Sequence, residues 1–282
     1  MQSNIKFDKL NFITAGMPLR TGKGSYPQAF EVLKEMNLDG MELEFVRGVR
    51  MADKSKEFVN QASKENNFVI TAHGPFYINL NSKEEDKIEA SVQRIVETAL
   101  VATQAGAFSI TYHAAFYMGA DKDTVYKQVK NQTQRIMDIL EKEDSTVWIR
   151  PETTGKATQW GDLDEVIKLS NDFEKVLPCI DFSHLHARTN GEYNTYDEFS
   201  RILERMGKEI GQYALDNFHG HLAGIEYGEK GEKQHLIMEE SDMNYKDLLK
   251  AMKEFGVKGA LVCESPNIED DCKLFKDYYY SI

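Results

Sequence analysis

The side chains best suited to chemistry in this chain are its seven histidines. Each lies at the end of a short apolar stretch or just beyond one, and none lies inside a segment with helical periodicity. Neutral imidazole is a preferred ligand of zinc, manganese and iron, so histidines that gather in one place predict a metal centre. The seven are His73, His113, His184, His186, His219, His221 and His235.

Three acids occupy equivalent positions and extend this pattern. Glu152, Asp181 and Glu264 follow three further apolar stretches. Carboxylate and imidazole ligands without a thiolate favour an open catalytic site over a closed structural zinc site. Taken singly, such a histidine is as often a hydrogen-bonded core residue, and such an acid is often a helix N-cap. The joint placement favours ligation.

Some of the histidines have a weaker pattern than the others. We expect only one of His219 and His221 to face the interior, and we favour His221, which lies nearer the carboxyl end of its stretch. We expect a loop or packing role for His186, which lies beyond the His184 position.

Eight short stretches rich in β-branched and aromatic residues predict the strands that must position these side chains. Between them lie helical segments with apolar residues three and four positions apart, such as Ile88, Val92 and Ile95. Strands that alternate with amphipathic helices predict a (β/α)8 TIM barrel, whose catalytic residues collect at the carboxyl ends of the strands. The predicted strands are Leu10–Thr14, Gly40–Phe45, Phe68–Ala72, Phe108–Tyr112, Val147–Arg150, Val176–Ile180, Phe218–Leu222 and Ala260–Cys263.

The composition fits a globular protein, with 41% hydrophobic and 28% charged residues. No linker divides the chain, so we expect one α/β domain over residues 1–282, with an open doubly wound sheet as the alternative fold. Three cysteines without C-x-x-C spacing suit reduced thiols. Met1–Lys9 lacks a secretory pattern and no apolar run approaches the roughly 20 residues of a membrane span. We expect a cytoplasmic monomer.

The net charge of −12 counts against broad binding to nucleic acid, because phosphate recognition usually relies on a basic patch. A local site remains compatible with this charge, since bound divalent cations supply positive charge where phosphate must lie.

Five segments carry a recognisable pattern: TAHGPFYINL at 71–80, YH at 112–113, PETTGK at 151–156, CIDFSH at 179–184 and CESPN at 263–267. In order and spacing they resemble the endonuclease IV family of abasic-site DNA repair enzymes along nearly the whole chain. The wider barrel superfamily also contains xylose-isomerase-like sugar enzymes with similar strand-end ligands.

The resemblance implies two or three metal ions in the barrel mouth, usually zinc, with manganese or iron as alternatives. The first would be held by His73, His113 and Glu152; the second by Glu152, Asp181, His221 and Glu264; the third by His184 and His235. In the family an aspartate two residues before the last histidine completes the third site. Here that position is Lys233, and Glu232 is one residue out of register. On this alignment, Lys233→Asp should strengthen the third site.

The activity implied by the resemblance is hydrolysis of the phosphodiester 5′ to an abasic site, which leaves a 3′-hydroxyl and a 5′-deoxyribose phosphate. Glu152 and Glu264 would be the catalytic carboxylates, with Glu264 orienting or deprotonating the attacking water. The partner would be DNA with abasic lesions, and the candidate contacts at the mouth are Arg47, Phe76 and Tyr77, with Arg20, Lys23, Arg50, Phe116 and Tyr117 in weaker positions.

Two other functions are compatible with the residues. A sugar or sugar-phosphate isomerase or epimerase on the same barrel would use one or two metals, and Lys156 could serve it, although its loop position favours a rim residue. A damage-binding protein with little cleavage activity is the other alternative.

Overall fold

The computed structural model describes residues 6–282, so Met1–Ile5, part of the segment Met1–Lys9 considered above, lie outside the described residues. Twelve strands occur within this described range. They are β1 (Leu10–Ala15), β2 (Gly40–Glu44), β3 (Val69–His73), β4 (Ser109–Tyr112), β5 (Ala115–Phe116), β6 (Trp148–Pro151), β7 (Gln159–Trp160), β8 (Ile180–Asp181), β9 (Phe218–Leu222), β10 (Gly224–Gly228), β11 (Gly231–Leu236) and β12 (Gly259–Cys263).

Eight of these strands form one parallel sheet in the order β6-β4-β3-β2-β1-β12-β9-β8. The two ends of this order meet, because Ile149 bridges to Val176 and Glu152 bridges to Cys179 in parallel. The Cys179 N–H donates to the carbonyl of Pro151 at 3.0 Å across the same seam. The sheet is therefore a closed ring, and the predicted (β/α)8 TIM barrel is confirmed.

The helices of the described chain follow the strands, as the alternating pattern predicts. In the third of them, Ile88, Val92 and Ile95 are buried, which confirms that apolar stripe. Gly106 follows this helix at a φ of 79°, a conformation that favours glycine. The helices are α1 (Tyr26–Glu35), α2 (Asp53–Asn66), α3 (Glu85–Gln104), α4 (Lys122–Lys142), α5 (Leu163–Asp172), α6 (Phe182–Arg188), α7 (Tyr196–Arg205), α8 (Gln212–Asp216), α9 (Tyr245–Glu254) and α10 (Glu269–Ser281).

The sixth barrel strand differs most from the prediction. A strand over Val176–Ile180 was expected, but only β8 is regular, and Val176 and Cys179 pair with β6 as single bridges. Pro178 lies between them and has no N–H to give to a ladder, which interrupts the strand. Asp181 is the last residue of β8 and so ends the sixth barrel strand, as expected.

Two short antiparallel pairs of strands lie outside the ring and were not predicted. One pairs β5 with β7, which are distant in sequence, and the other is a hairpin of β10 and β11. This hairpin follows the seventh barrel strand and carries His235 on β11, so this histidine lies on a strand and not in a loop.

Among residues 6–282, no helix combines the length and apolar character that crossing a bilayer requires.

Candidate metal centre

The barrel register brings the predicted strand-end side chains to one level of the mouth. His73 ends β3, and Glu152 follows β6 directly. Asp181 pairs with His221 in register between β8 and β9. The N–H of Glu264, just beyond β12, donates to the Leu222 carbonyl at 3.1 Å. Residues distant in the sequence therefore meet because parallel strands end at the same face.

Glu152 lies at the centre of this group and is fully buried. One carboxylate oxygen, Oε2, is 3.0 Å from Nε2 of His73, and the other, Oε1, is 3.3 Å from Nε2 of His113. Oε1 is also 3.4 Å from Nδ1 of His221. Glu152 thus contacts histidines of both predicted metal groups, as a bridging carboxylate must.

The second group surrounds the other side of Glu152. Nδ1 of His221 is 3.3 Å from Oε1 of Glu264 and 3.9 Å from Oδ2 of Asp181. The ligating atoms of Glu152, Asp181, His221 and Glu264 all lie within 4.8 Å of one another, as do those of His73, His113 and Glu152.

A third group joins Asp181, His184 and His235, whose ligating atoms also lie within 4.8 Å of one another. His184 lies just past the sixth barrel strand as expected, but it is part of α6, whereas no histidine was expected inside a helix. Asp181 caps this helix, since its Oδ1 accepts from the His184 N–H at 2.7 Å. The cap explains the helix, and it leaves the second oxygen of Asp181 facing the group.

Three histidines of the centre are oriented by backbone carbonyls. Nδ1 of His73 lies 2.7 Å from the Gly74 carbonyl, and Nδ1 of His184 lies 3.0 Å from that of Thr153. Nδ1 of His235 lies 3.2 Å from the Glu264 carbonyl. A carbonyl only accepts, so Nδ1 of each ring donates to it, and Nε2 is the nitrogen that binds a cation once it has lost its own proton, the usual arrangement of a ligating histidine.

The residues fit a divalent cation on a second observation. Among the described residues, several buried atoms at the centre have no hydrogen bond of acceptable geometry, although oppositely charged atoms lie close by. These atoms are Oε1 of Glu152, Oδ2 of Asp181, Nδ1 of His221 and Nε2 of His235. Buried polar atoms that lie close together without hydrogen bonds are arranged as ligands are around an ion.

The acids and imidazoles shift each other's pKa values. Burial disfavours the charged form of His73, but contact with Glu152 outweighs it and raises the pKa of His73 to about 10. Burial raises the pKa of Asp181 to about 6, against the opposing effect of His184. Burial also acts on Glu264, yet the facing His221 lowers its pKa to about 2. Cations and protons therefore compete for the same atoms.

Sequence reasoning missed Glu42, which lies in β2 below the mouth and is fully buried. Its Oε1 is 3.1 Å from Nε2 of His221, and its Oε2 is 2.9 Å from Nε2 of His219. The Thr71 hydroxyl also donates to Oε2 at 2.7 Å. Glu42 therefore fixes the ring of His221 from behind, with Nδ1 turned towards Glu152. An acid in the middle of a strand was the available signal.

The expectation that only one of His219 and His221 faces the interior is wrong. Both rings are buried and contact Glu42, because residues two apart on a strand point to the same side. Ser109 lies 2.8 Å from Nδ1 of His219. Burial lowers the pKa of His219 to about 4, against the opposing effect of Glu42. His219 belongs to the layer beneath the mouth.

His186 lies apart from the three groups. Its Nδ1 contacts the Glu192 carbonyl at 2.8 Å and its Nε2 contacts Asp242 at 3.1 Å. The ring packs edge-on against Tyr227 at 4.8 Å between centroids. These contacts agree with the packing role expected for it.

Some of the candidate DNA-contacting side chains are exposed, and others are held by contacts within the protein. Arg47 is exposed, and Phe76 and Tyr77 are large exposed aromatics whose rings lie 5.3 Å apart. Arg20 was expected at a phosphate, but it forms ion pairs with Glu269 and Asp270 at the start of α10.

The remaining rim residues show the same contrast. Lys23 and Arg50 are exposed. Phe116 and Tyr117 are half-buried, and the Tyr117 hydroxyl donates to Glu165 at 2.8 Å. Lys156 is also half-buried, in the loop after β6.

The fold agrees with what similar proteins show. The chain belongs to the xylose isomerase-like TIM barrel family, whose model matches residues 30–278. An uncharacterised protein of Methanocaldococcus jannaschii is 43% identical over 270 residues, covering 96% of this chain and 97% of that protein. A probable endonuclease 4 of Clostridium botulinum is 25% identical over 169 residues, which is 58% of each chain.

Solved structures of two activities share the fold. A D-tagatose 3-epimerase-like protein superimposes with a TM-score of 0.72 at 18% identity, covering 95% of this chain and 97% of its own. Endonuclease IV from Thermus thermophilus does so with a TM-score of 0.69 at 14% identity, covering 90% of this chain and 94% of its own. At these identities the likeness establishes the barrel and leaves the reaction to be argued from the site.

Proposed function

We propose that this protein is a zinc-dependent endonuclease that hydrolyses the phosphodiester 5′ to an abasic site in DNA. The observation that carries the proposal is Glu152, which contacts His73 and His113 on one side and His221 on the other. The pair His73 and His113 offers a further cation site beside a complete second group. Adjacent cation sites joined by a carboxylate suit phosphodiester hydrolysis.

Cations held in these groups would supply Lewis acidity towards the phosphodiester and towards the water that attacks it. Glu152 is buried, and the neighbouring His113 and His221 lower its pKa against the opposing effect of burial. It stays ionised, so its role is to hold the two groups together.

Glu264 has a different position at the mouth. Its side chain is 14% exposed, so it can contact a water molecule. Because its pKa is near 2, it is a weak base, and the proposed role is to orient the attacking water by accepting a hydrogen bond.

The rim offers a means to hold a damaged strand. Phe76 is 62% exposed and Tyr77 is 40% exposed, although both follow a buried strand. The guanidinium of Arg94 lies 4.4 Å from the Tyr77 ring centroid and supports that ring from one side. Such aromatics stack on bases or wedge into the space left by a missing base, and the exposed Arg47 nearby would contact phosphate.

The test is incision of a duplex that carries one tetrahydrofuran abasic analogue, with metal content measured on the same preparation. The wild type should cut 5′ to the lesion and leave a 3′-hydroxyl. Glu264→Gln should reduce the rate by about 10²–10⁴-fold, as loss of a positioned catalytic group does. Glu239→Gln, the same change at an exposed acid, is the matched control and should cut normally. A fully metal-loaded wild type that leaves the duplex intact would sink the proposal.

A second candidate function, epimerisation of a ketose, has its own supporting observation. Glu152, Asp181, His221 and Glu264 form a one-cation group with two glutamates, and the barrel resembles a D-tagatose 3-epimerase-like protein. Incubation with ketohexoses in D₂O would separate the two functions. Deuterium incorporation at carbon in the wild type, lost in Glu264→Gln, together with intact abasic DNA would favour the epimerase. Tight binding of abasic DNA without incision would favour a damage-binding protein.

A further inference from the structure

The hairpin of β10 and β11 contains a bulge at the edge of the centre. Ile225 pairs with His235 and Glu226 pairs with Gln234, but the next residue, Tyr227, pairs with Glu232. Lys233 is therefore an extra residue in β11 that has no partner in the ladder. A bulge of this kind reverses the alternation of side chains on one strand.

The reversal decides which side chains face the centre. Lys233 and Gln234, although adjacent, both bond the side chain of Glu226, at 3.0 Å each. The Lys233 side chain is 57% exposed, and it lies on the outer face of the hairpin. Glu232 and His235 pair with Tyr227 and Ile225, which share a face, so they lie together on the inner face.

The inner face has a place prepared for the Glu232 carboxylate. The Glu232 N–H donates to the Gly155 carbonyl at 3.0 Å, which fixes the hairpin against the loop after β6. A Cβ at residue 155 would lie 2.6 Å from Oε2 of Glu232 and 3.1 Å from Cδ2 of His184. Only glycine leaves room there for both side chains. The Glu232 side chain is accordingly 19% exposed.

The carboxylate then lies beside the third group of the centre. Oε2 of Glu232 is 3.7 Å from Nε2 of His184, the nitrogen that does not bond the Thr153 carbonyl. Ligands at about 2.1 Å from one tetrahedral cation lie roughly 3.4 Å apart, so this separation suits two ligands of one ion. The His184 and His235 ring centroids are 5.6 Å apart, and Nε2 of His235 has no partner among the described residues.

We propose that Glu232 is the carboxylate ligand of a third cation site with His184 and His235, and that the bulge at Lys233 brings it there. The inference rests on the proposed function only in taking the centre to hold several cations. It replaces the alignment that put Lys233 in the ligand position. Asp181 serves the second group as well, so Glu232 gives the third cation a carboxylate of its own.

The direct test measures Zn²⁺ and Co²⁺ binding by equilibrium dialysis against metal-free protein, independently of any activity. The wild type should bind three ions, and Glu232→Gln should weaken the third by about 100-fold or more, beyond the 10–100-fold cost of losing an outer partner. Gly155→Ala should weaken it too, since the methyl group occupies the space of the carboxylate. Circular dichroism confirms that each variant is folded.

Two changes at residue 233 test whether the position of the Glu232 side chain, and not the number of acids in this segment, determines binding of the third ion. Lys233→Asp should leave the third ion unchanged, because the side chain points outwards. Deletion of Lys233 should retain the third ion, since Glu232 would then stand two residues from His235 on an unbulged strand and keep the same face.

Three results would overturn the inference: a wild type that binds only two ions, a Glu232→Gln variant that retains the third, or a Lys233→Asp variant that binds it more tightly. None of them depends on incision. A wild type with three ions that fails to cut abasic DNA would refute the proposed function and leave this inference standing.

Discussion

The centre draws its ligands from two regions that are held in different ways. His73, Glu152 and His221 come from the ring, where each strand is paired on both sides and the register fixes the height of every side chain. Glu232 and His235 come from a two-stranded hairpin outside the ring, positioned by a bulge and by hydrogen bonds that include those to Gly155 and Glu264. Because isolated hairpins are marginally stable, the hairpin ligands are the easier ones to move.

The largest effect expected within this comparison is that of Glu152→Gln. Glu152 contacts histidines of all three groups, so its loss should weaken both ring cations and disturb the third, whereas Glu232→Gln affects one. Incision should fall by about 10³-fold or more, at the upper range for loss of a positioned electrostatic group. Metal analysis after dialysis checks the cause. If Glu152→Gln retained two tightly bound ions, the proposed role of Glu152 in holding the ring cations would be contradicted.

Glu42→Gln should destabilise the ring and spare the hairpin. The buried carboxylate contacts His219 and His221, and breaking such a buried pair costs about 3 kcal/mol. Urea unfolding of the metal-free protein measures this loss, with the exposed Glu239→Gln as the control. The third cation should bind as in the wild type, and an equal loss of all three ions would show that the two regions are not separable.

The pH dependence should report on the ring. The folded pKa of His73 is raised from 6.5 to about 10, so its contribution to metal-free stability is complete below pH 6.5 and is lost as pH rises through 10. Binding of a cation at neutral pH must displace this proton, so affinity should rise with pH. Calorimetry in buffers of different ionisation enthalpy counts the released protons. His73→Gln should release fewer, and an unchanged count would contradict the assignment.

The smallest effects lie beyond both regions, on the rim. Arg47→Ala should reduce the salt dependence of DNA binding by about one unit of slope, as loss of one phosphate contact does. Arg20→Ala, which removes an ion pair with Asp270, should leave that slope unchanged and cost at most about 1 kcal/mol of stability. Binding measured by fluorescence anisotropy at several salt concentrations compares the two. Equal salt-dependence slopes for the two variants would contradict a phosphate contact by Arg47.

The ring was largely predictable from the sequence, because alternating strands and helices define the barrel and strand ends converge in it. Glu42 was not predicted because the candidate ligands were sought at strand ends, and this acid is buried one layer below them. The sixth strand begins later than predicted, because Pro178 delays the regular pairing until Ile180.

The hairpin was not predictable in the same way. A bulge depends on how two strands pair, and no local pattern distinguishes Lys233 as the unpaired residue. No histidine was expected inside a helix, yet His184 and His186 lie in α6, because the cap by Asp181 begins this helix directly after β8. The ion pairs of Arg20 depend on α10, which is distant in sequence.

The closure of the ring has a consequence for the centre. β6 and β8 are the two ends of the sheet order, and the chain beside them closes the ring through the bridges Ile149–Val176 and Glu152–Cys179 and through backbone hydrogen bonds. Glu152 stands on one side of this seam and Asp181 on the other, and both belong to the same ligand group. A cation bound by both residues would link the two sides of the barrel closure. Metal binding would then stabilise the closed fold as well as complete the centre.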